Sequence, residues 1–368
     1  MITVSEAWKA AQDHFLAPEG FVELSCYIPQ LRQTLVYTKS DIMSFTHQQT
    51  GSIMSGELPK NHIEFKLDNS DGKWNPSNPT GLERYLSERL KITLRYGMDI
   101  DGVIEWIPGG VFYLSEWHTP ANGIEASFVA RDLLEYMIDR PYTGKLEGTL
   151  YEVAERAVAE AGIPSDAVVS LCDELKNYSV GAIDYKGNES VAEILQKCAN
   201  AASCVMYQDR DGVLRFERLS YENTGFVMQK SVAYTFPEIE FSRPLKSVSV
   251  SYFGGGKVSF AYDTSGETQT LTNEFISTEE QASEVAKWVC DSLRTRKKIS
   301  GEVRGDPRLD VFDVIDVESK YGVVNGVVLT DIKCSFTGAF RAVYTGYVRG
   351  SGAAVMIYSG EIFTGEVG

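Results

Sequence analysis

The chain opens on a helical period. Val4, Ala7, Trp8, Ala11 and Phe15 fall on one face of a helix predicted over residues 4–16, with Thr3 and Glu6 at capping-box spacing. Ala17-Pro18-Glu19-Gly20 breaks that helix. From Phe21 to about residue 130 the pattern alternates with period two: ITLRY, GVFYLSEW and EASFVA carry the β-branched and aromatic residues of strands. LDNSDGKWNPSNPTG is a turn-rich loop, and DIDG and TPANG are turns between strands. A short helix over residues 132–138 ends before Pro141.

The helical period returns after Thr149. Thr149 with Glu152 and Ser190 with Glu193 are capping boxes that open two helices, the first stopped by Gly162-Ile163-Pro164. CVMYQDRDGVLRFERL is a hairpin around Asp211-Gly212. From Tyr234 alternation resumes in PLKSVSVSYFGGGKVSFAY, two strands with Gly254, Gly255 and Gly256 at the tip. A long helix is predicted over residues 278–298, capped by Ser277 or Thr278, and strands follow, with Asn325-Gly326 as a tight turn. The reading is therefore a β-rich multidomain (α+β) chain: a helix over residues 1–18, a β-barrel over 19–145, an α+β module over 146–228, a second β-barrel with an inserted helix over 229–350, and a tail over 351–368. The two β regions are of similar length and both finish in long strand pairs. No short fixed-period repeat is present.

Composition narrows the function classes. With 368 residues, 43% hydrophobic, the chain is long enough for several packed cores. No run of ~18 apolar residues suggests a membrane span, and the N-terminus lacks the basic start and apolar run of a secretory signal. A net charge of −16 argues against gripping nucleic acid. The one basic run, Arg294, Arg296, Lys297 and Lys298, falls at the end of the predicted long helix, where cations complement the dipole. The six cysteines, Cys26, Cys172, Cys198, Cys204, Cys290 and Cys334, form no CxxC pair and read as buried free thiols.

The search for catalytic chemistry finds no motif. GxSxG, HExxH and GxxxxGK[ST] are absent, and Lys257 follows three glycines without the upstream glycine of a phosphate loop. His14, His47, His62 and His118 have no metal-ligand spacing. A glycosidase pair needs two carboxylates held ~5–10 Å apart, and nothing singles out a pair among the Asp and Glu residues. DNSDG and DRDG depart from calcium-loop spacing, so Asp68, Asp71 and Asp211 read as turn residues. The expectation is a non-enzyme with no cofactor and no metal site.

Three stretches together resemble one family: SGELPKNHIEFKLDNSDGKWNPSNPTGLERYLSERLKITLRYG, GGVFYLSEWHTPANGIEASFVARDLLEYM and GDPRLDVFDVIDVESKYGVVNGVVLTDIKCSFTGAFRAVYTGYVRG. They resemble the baseplate hub, or tail-tip hub, proteins of phages and prophages of Gram-positive bacteria, over roughly residues 20–350. Two departures are visible: Phe312 stands before Asp313 where the family often has glycine, and the chain carries no peptidase, lyase or fibre segment after the second β region. The resemblance implies two tube-like barrels per subunit and a homotrimer forming a pseudo-sixfold ring, with DNA passing through its lumen. A negative lumen wall would repel that DNA. It further implies a distal tail or tail tube protein on one side, tape-measure and tip or fibre proteins on the other, synthesis in the bacterial cytoplasm and a place at the virion tail tip.

Alternatives kept beside this reading are a tail-associated cell-wall hydrolase, acting on glycan or peptide, and a carbohydrate-binding tail module using exposed aromatics. For assembly, Val355, Met356, Ile357, Tyr358, Ile362 and Phe363 in the apolar tail are expected to dock on a neighbouring chain. Trp8 and Phe15 of the opening helix would pack either on another subunit or on their own barrel.

Overall fold

The structure, a computed structural model, describes residues 1–14, 18–51, 57–120, 123–181, 187–241, 245–293, 295–349, 355–358 and 361–362, with the backbone alone at 295–296, 349, 355–358 and 361–362. Helix α1 (Glu6–Asp13) starts later than predicted: its N-cap is Ser5, not Thr3, because Ser5 holds the extended backbone of a cap and its Oγ accepts the Trp8 N–H at 3.0 Å.

The first β-unit contains β1 (Gly20–Ile28), β2 (Gln33–Tyr37), β3 (Ile42–Thr50), β4 (Lys60–Asp68), β5 (Lys91–Ile100), β6 (Val103–His118) and β7 (Glu125–Arg131). Their hydrogen-bonded order is β3-β4-β7-β6-β5-β1-β2. Alternation sends Phe45, Ile63, Phe65, Leu94, Phe112 and Phe128 into one core. The DIDG turn closes β5 onto β6 with Asp101 and Gly102 both at positive φ (53° and 84°), the backbone that matches the twist of a two-residue hairpin. In the turn-rich loop, Asn69 Oδ1 accepts the Trp74 N–H at 2.8 Å and the indole is buried in the same core.

The α+β module contains β8 (Gly148–Thr149), α2 (Leu150–Ala161), β9 (Val168–Ser170), β10 (Ser179–Val180), α3 (Val191–Ala201), β11 (Val205–Gln208) and β12 (Val213–Glu217). Both capping boxes form as the spacing predicts. Gly162, at φ 64°, ends α2 in the left-handed conformation.

The remaining elements are β13 (Val227–Met228), β14 (Glu238–Phe241), β15 (Leu245–Ser251), β16 (Lys257–Ala261), β17 (Glu267–Thr272), α4 (Glu279–Leu293), β18 (Thr295–Arg304), β19 (Val314–Ser319), β20 (Gly322–Phe336), β21 (Phe340–Arg349), β22 (Val355–Tyr358) and β23 (Glu361–Ile362). Six of them form a second β-unit in the order β14-β18-β21-β20-β19-β13. A separate sheet, β17-β15-β16-β22-β23, packs with α4 onto the helical module: Val248, Phe260, Val285 and Val289 share one core with Ile194 and Leu195.

Two further local expectations change. Helix α4 stops at Leu293, and Lys297 and Lys298 lie in strand β18, where Ile299 and Val303 alternate into the core; Arg294 is outside the described residues. Asn325-Gly326 is not the hairpin turn. The turn falls at Lys320-Tyr321, with Ser319 opposite Gly322, and Asn325-Gly326 is a bulge opposite Asp316. Gly326 takes φ 68° and donates its N–H to Asp316 Oδ1 at 2.9 Å, a left-handed bulge position that glycine fills without strain.

The two β-units are not separate sheets. Strand β20 pairs antiparallel with β3, from Asp331 opposite Thr50 to Phe336 opposite Phe45, so one 13-stranded sheet runs through both. Its path begins at β14 and ends at β2.

Candidate assembly interface

The β3–β20 joint shows what two of these units need in order to meet. On the core side of β3, His47 and Gln49 are 2% and 4% exposed. His47 is satisfied on both ring nitrogens, Nδ1 to the Tyr96 hydroxyl and Nε2 to Asn61 Oδ1, each at 2.8 Å. Burial, followed by the nearby Arg210 charge, lowers its pKa to about 3, so the imidazole is neutral. Arg210, from the β11–β12 turn, is buried beside this pair. Its guanidinium donates to the Pro307 carbonyl at 2.7 Å, to the Leu309 carbonyl and to Asp310 Oδ2 at 3.2 Å. Asp310 also accepts from Gln49 Nε2. A hairpin of the helical module thus ties β3 of the first unit to the loop before β19 of the second.

The two units are built alike around this joint. The strand order β3-β4-β7-β6-β5 in the first is matched by β14-β18-β21-β20-β19 in the second. The long strands β6 and β20 carry a register shift at the same place, between Leu114 and Glu116 and between Leu329 and Asp331. Two positions before each preceding strand, β5 and β19, the backbone crosses into the left-handed region: Arg89 at φ 65° and Phe312 at φ 69°. Each of the two donates its N–H to the leucine carbonyl before the shift, Leu114 or Leu329. Following the registers strand by strand equates Ile63 with Ile299, Phe128 with Tyr344, Ala126 with Ala342, Gln49 with Phe241, and Trp117 with Ile332.

This equivalence exposes what is unmet. In the joint, β3 is covered by β20. Its counterpart β14 is an edge strand with no partner on its outer side among the described residues. Ile239 and Phe241, which occupy the positions of buried His47 and Gln49, are 37% and 78% exposed. Tyr234 and Phe236, just upstream, are exposed as well. At the other end, β6 from residue 115 onward has outrun β5, just as β20 outruns β19 before meeting β3, and Glu116 and His118 there are exposed. This edge does not stand out in the alternation of the sequence. Its signal was the segment YTFPEIEF, with four large apolar residues around Pro237 and no helical period.

The opposite, polar face of the continuous sheet carries both signs of charge in cross-strand ion pairs: Lys66–Glu125 at 2.7 Å, Arg131–Glu116 at 3.8 Å, Lys298–Glu240 at 3.6 Å and Arg341–Glu302. The net negative charge of the chain is not concentrated there.

The assembly residues named from sequence are scattered. Trp8 is fully buried in the first unit's own core. The backbone of Val355, Met356 and Ile357 pairs antiparallel with Ala261, Phe260 and Ser259 of this chain's β16, and Ile362 lies opposite Ile357. Phe15 and Phe363 fall outside the described residues. None of the six cysteines is in a disulfide. Among the described residues one group of potential ligand side chains comes together, Cys172, Glu174 and Cys204, with the two thiols 3.4 Å apart.

No protein-family description and no curated protein matches the sequence. Solved structures do. A tail protein from Neisseria meningitidis aligns with a TM-score of 0.60 at 13% identity, covering 90% of this chain and 96% of that one. The 43 kDa tail protein of a Shewanella oneidensis prophage aligns at 0.59 and 14% identity, over 90% of this chain and 98% of that one. A prophage tail protein of Listeria monocytogenes aligns at 0.52 and 11% identity, over 89% and 94%. The chain therefore has the fold of phage tail proteins along nearly its whole length.

Proposed function

We propose that this protein is a structural part of a phage or phage-like tail: the hub at the tail tip, a homotrimer whose six β-units form a ring between a tail tube or distal tail protein and the tip or fibre. The observation that carries this reading is the doubled β-unit with one joint made and its two halves left open. An interface between two different patches is heterologous. Repeated head to tail it closes into a ring when the rotation allows. Two units per chain and three chains give six positions, which would meet a six-fold tube on one side and a three-fold tip on the other.

With the polar face of the sheet toward the lumen, the wall is mixed in charge, where the acidity of the chain alone suggested a uniformly negative one. Its cations are held beside carboxylates in neighbouring strands, which leaves them less available to the phosphates of passing DNA. The fold likeness supports a tail component made of packed β-units, and the exposed apolar edge of β14 supports an assembly role.

The test is the native mass of the purified chain, by light scattering across a concentration series. A trimer of about 3 × 40.8 kDa, roughly 122 kDa, is expected. A monomer throughout the series overturns the ring.

A further inference from the structure

We infer that the ring closes by pairing strand β14 of one copy with residues 115–120 of β6 and its extension in the next copy, antiparallel and in the register of the internal β3–β20 joint. This inference rests on the ring reading above and adds the residues that make it.

The register follows from the chain's own template. In the joint, Ile332 lies opposite Gln49 and Lys333 opposite Gln48. Ile332 is equivalent to Trp117, since they lie opposite Tyr344 and Phe128 one step past the same register shift. Gln49 is equivalent to Phe241, since the strands carrying them pair alike with β4 and β18. Substituting equivalents places Trp117 of one copy opposite Phe241 of the next, His118 opposite Glu240, and Thr119 opposite Ile239.

The side chains suit these places. Phe241 is 78% exposed, at a position that its counterpart Gln49 fills in a buried state. Trp117 is half-buried on the rim of the first unit's core, and an aromatic pair across two strands is a strong cross-strand contact. His118 against Glu240 sets an imidazole, whose ring N–H can donate a hydrogen bond, beside a carboxylate that accepts one, not two like charges. Proteins normally blunt an exposed apolar edge strand, because it templates pairing with other chains. Here the edge is kept apolar at Ile239 and Phe241, and the strand that would cover it is already present, in covering form, elsewhere in the same fold. The occupant is a second copy of this chain.

The test is disulfide trapping in the full chain with the substitutions His118→Cys and Glu240→Cys together, both at exposed positions, oxidised with copper phenanthroline and read on a non-reducing gel. Covalent dimer and trimer bands are expected from the double variant. The wild type, each single variant, and the out-of-register pair Glu116→Cys with Glu240→Cys should remain largely monomeric on the gel. Thr119→Cys with Ile239→Cys is a second in-register pair should the first disturb folding. As an independent readout, Phe241→Asp should shift the native mass of the unoxidised protein from trimer towards monomer. A native trimer that gives no cross-link at either in-register pair overturns this joint and leaves the ring standing. The same holds if the out-of-register pair cross-links as well as the in-register one. A native monomer overturns the ring and this joint with it.

Discussion

Arg89 and Phe312 hold the same backbone turn in two parts of the chain more than two hundred residues apart. Both cross into the left-handed region, and both donate their N–H to a leucine carbonyl just before a register shift, Leu114 at 2.6 Å and Leu329 at 2.7 Å. Glycine would hold this turn without strain, and neither residue is glycine. Each side chain has its own reason to be there: the Arg89 guanidinium lies 4.7 Å over the Tyr136 ring, whereas the Phe312 ring is buried beside Tyr207 and over Gly51.

The two positions should therefore respond differently to glycine. Arg89→Gly removes ~1–2 kcal/mol of left-handed strain and about 0.5–1 kcal/mol of cation–π contact, leaving stability nearly unchanged. Phe312→Gly relieves the same strain but empties a buried aromatic site worth ~3–5 kcal/mol, for a net loss of about 1–4 kcal/mol. Urea unfolding of the two variants checks this; equal losses would remove the argument that Phe312 is kept for packing. Gly51→Ala approaches the same site from the other side, since a Cβ there would sit 2.5 Å from the Phe312 ring, and should cost about 1–3 kcal/mol.

Arg210 is the second test of how the units are held. Arg210→Met would leave Asp310 without its buried cation and two carbonyls without their donor, and should cost about 3–5 kcal/mol. Lys298→Met, which breaks a solvent-exposed pair with Glu240, should cost under ~1 kcal/mol. Chemical denaturation of both variants separates a buried tie from a surface pair; similar costs would mean that Arg210 does not hold the joint.

His47 should make stability depend on pH. The unfolded imidazole titrates near ~6.5 and the native one at about 3. Between those values the unfolded chain binds a proton that the native state refuses. His47 therefore takes nothing from stability above about pH 6.5, and stability falls as pH drops below it, by at most ~1.4 kcal/mol per pH unit. Asp132 works in the opposite sense, because burial raises its pKa to about 7 and the native state keeps a proton the unfolded chain releases. Comparing His47→Gln with the parent cancels Asp132. The variant should be less stable at neutral pH and lose stability less steeply between pH 6.5 and 4, measured by thermal unfolding at each pH; an unchanged slope would show that His47 titrates normally in the native state.

The Cys172 and Cys204 sulfurs, 3.4 Å apart, are placed to oxidise together. The hydrogen bond from Cys204 lowers the pKa of the Cys172 thiol, which favours it as the attacking thiolate. With diamide as the oxidant, reduced to its hydrazine, the two thiols should be lost as one disulfide, detected as a decrease of two in the thiol count of the denatured protein. Cys172→Ser should abolish that decrease; a loss that persists in the variant would place the reactive pair elsewhere.

Much of this fold was legible because its signals are local. The capping boxes at Thr149 and Ser190, the Asp211-Gly212 hairpin and the left-handed Asp101-Gly102 turn each depend on residues within four positions of one another. Where local signals were ambiguous, pairing partners decided. Asn325-Gly326 suits a hairpin turn and a bulge equally well, and the register against Asp316 made it a bulge. Lys297 and Lys298 could have ended a helix, and the core positions of Ile299 and Val303 made them part of a strand. The candidate interface lay furthest from local reading. Phe241 looks like any apolar strand residue until β20 is seen to cover β3 across nearly three hundred residues of chain, and until β14 is seen to be the same strand left uncovered. Alternation along one strand determines which side chains share a face. Which edge is left without a partner depends on the order of all the strands, and only the tertiary structure decides that.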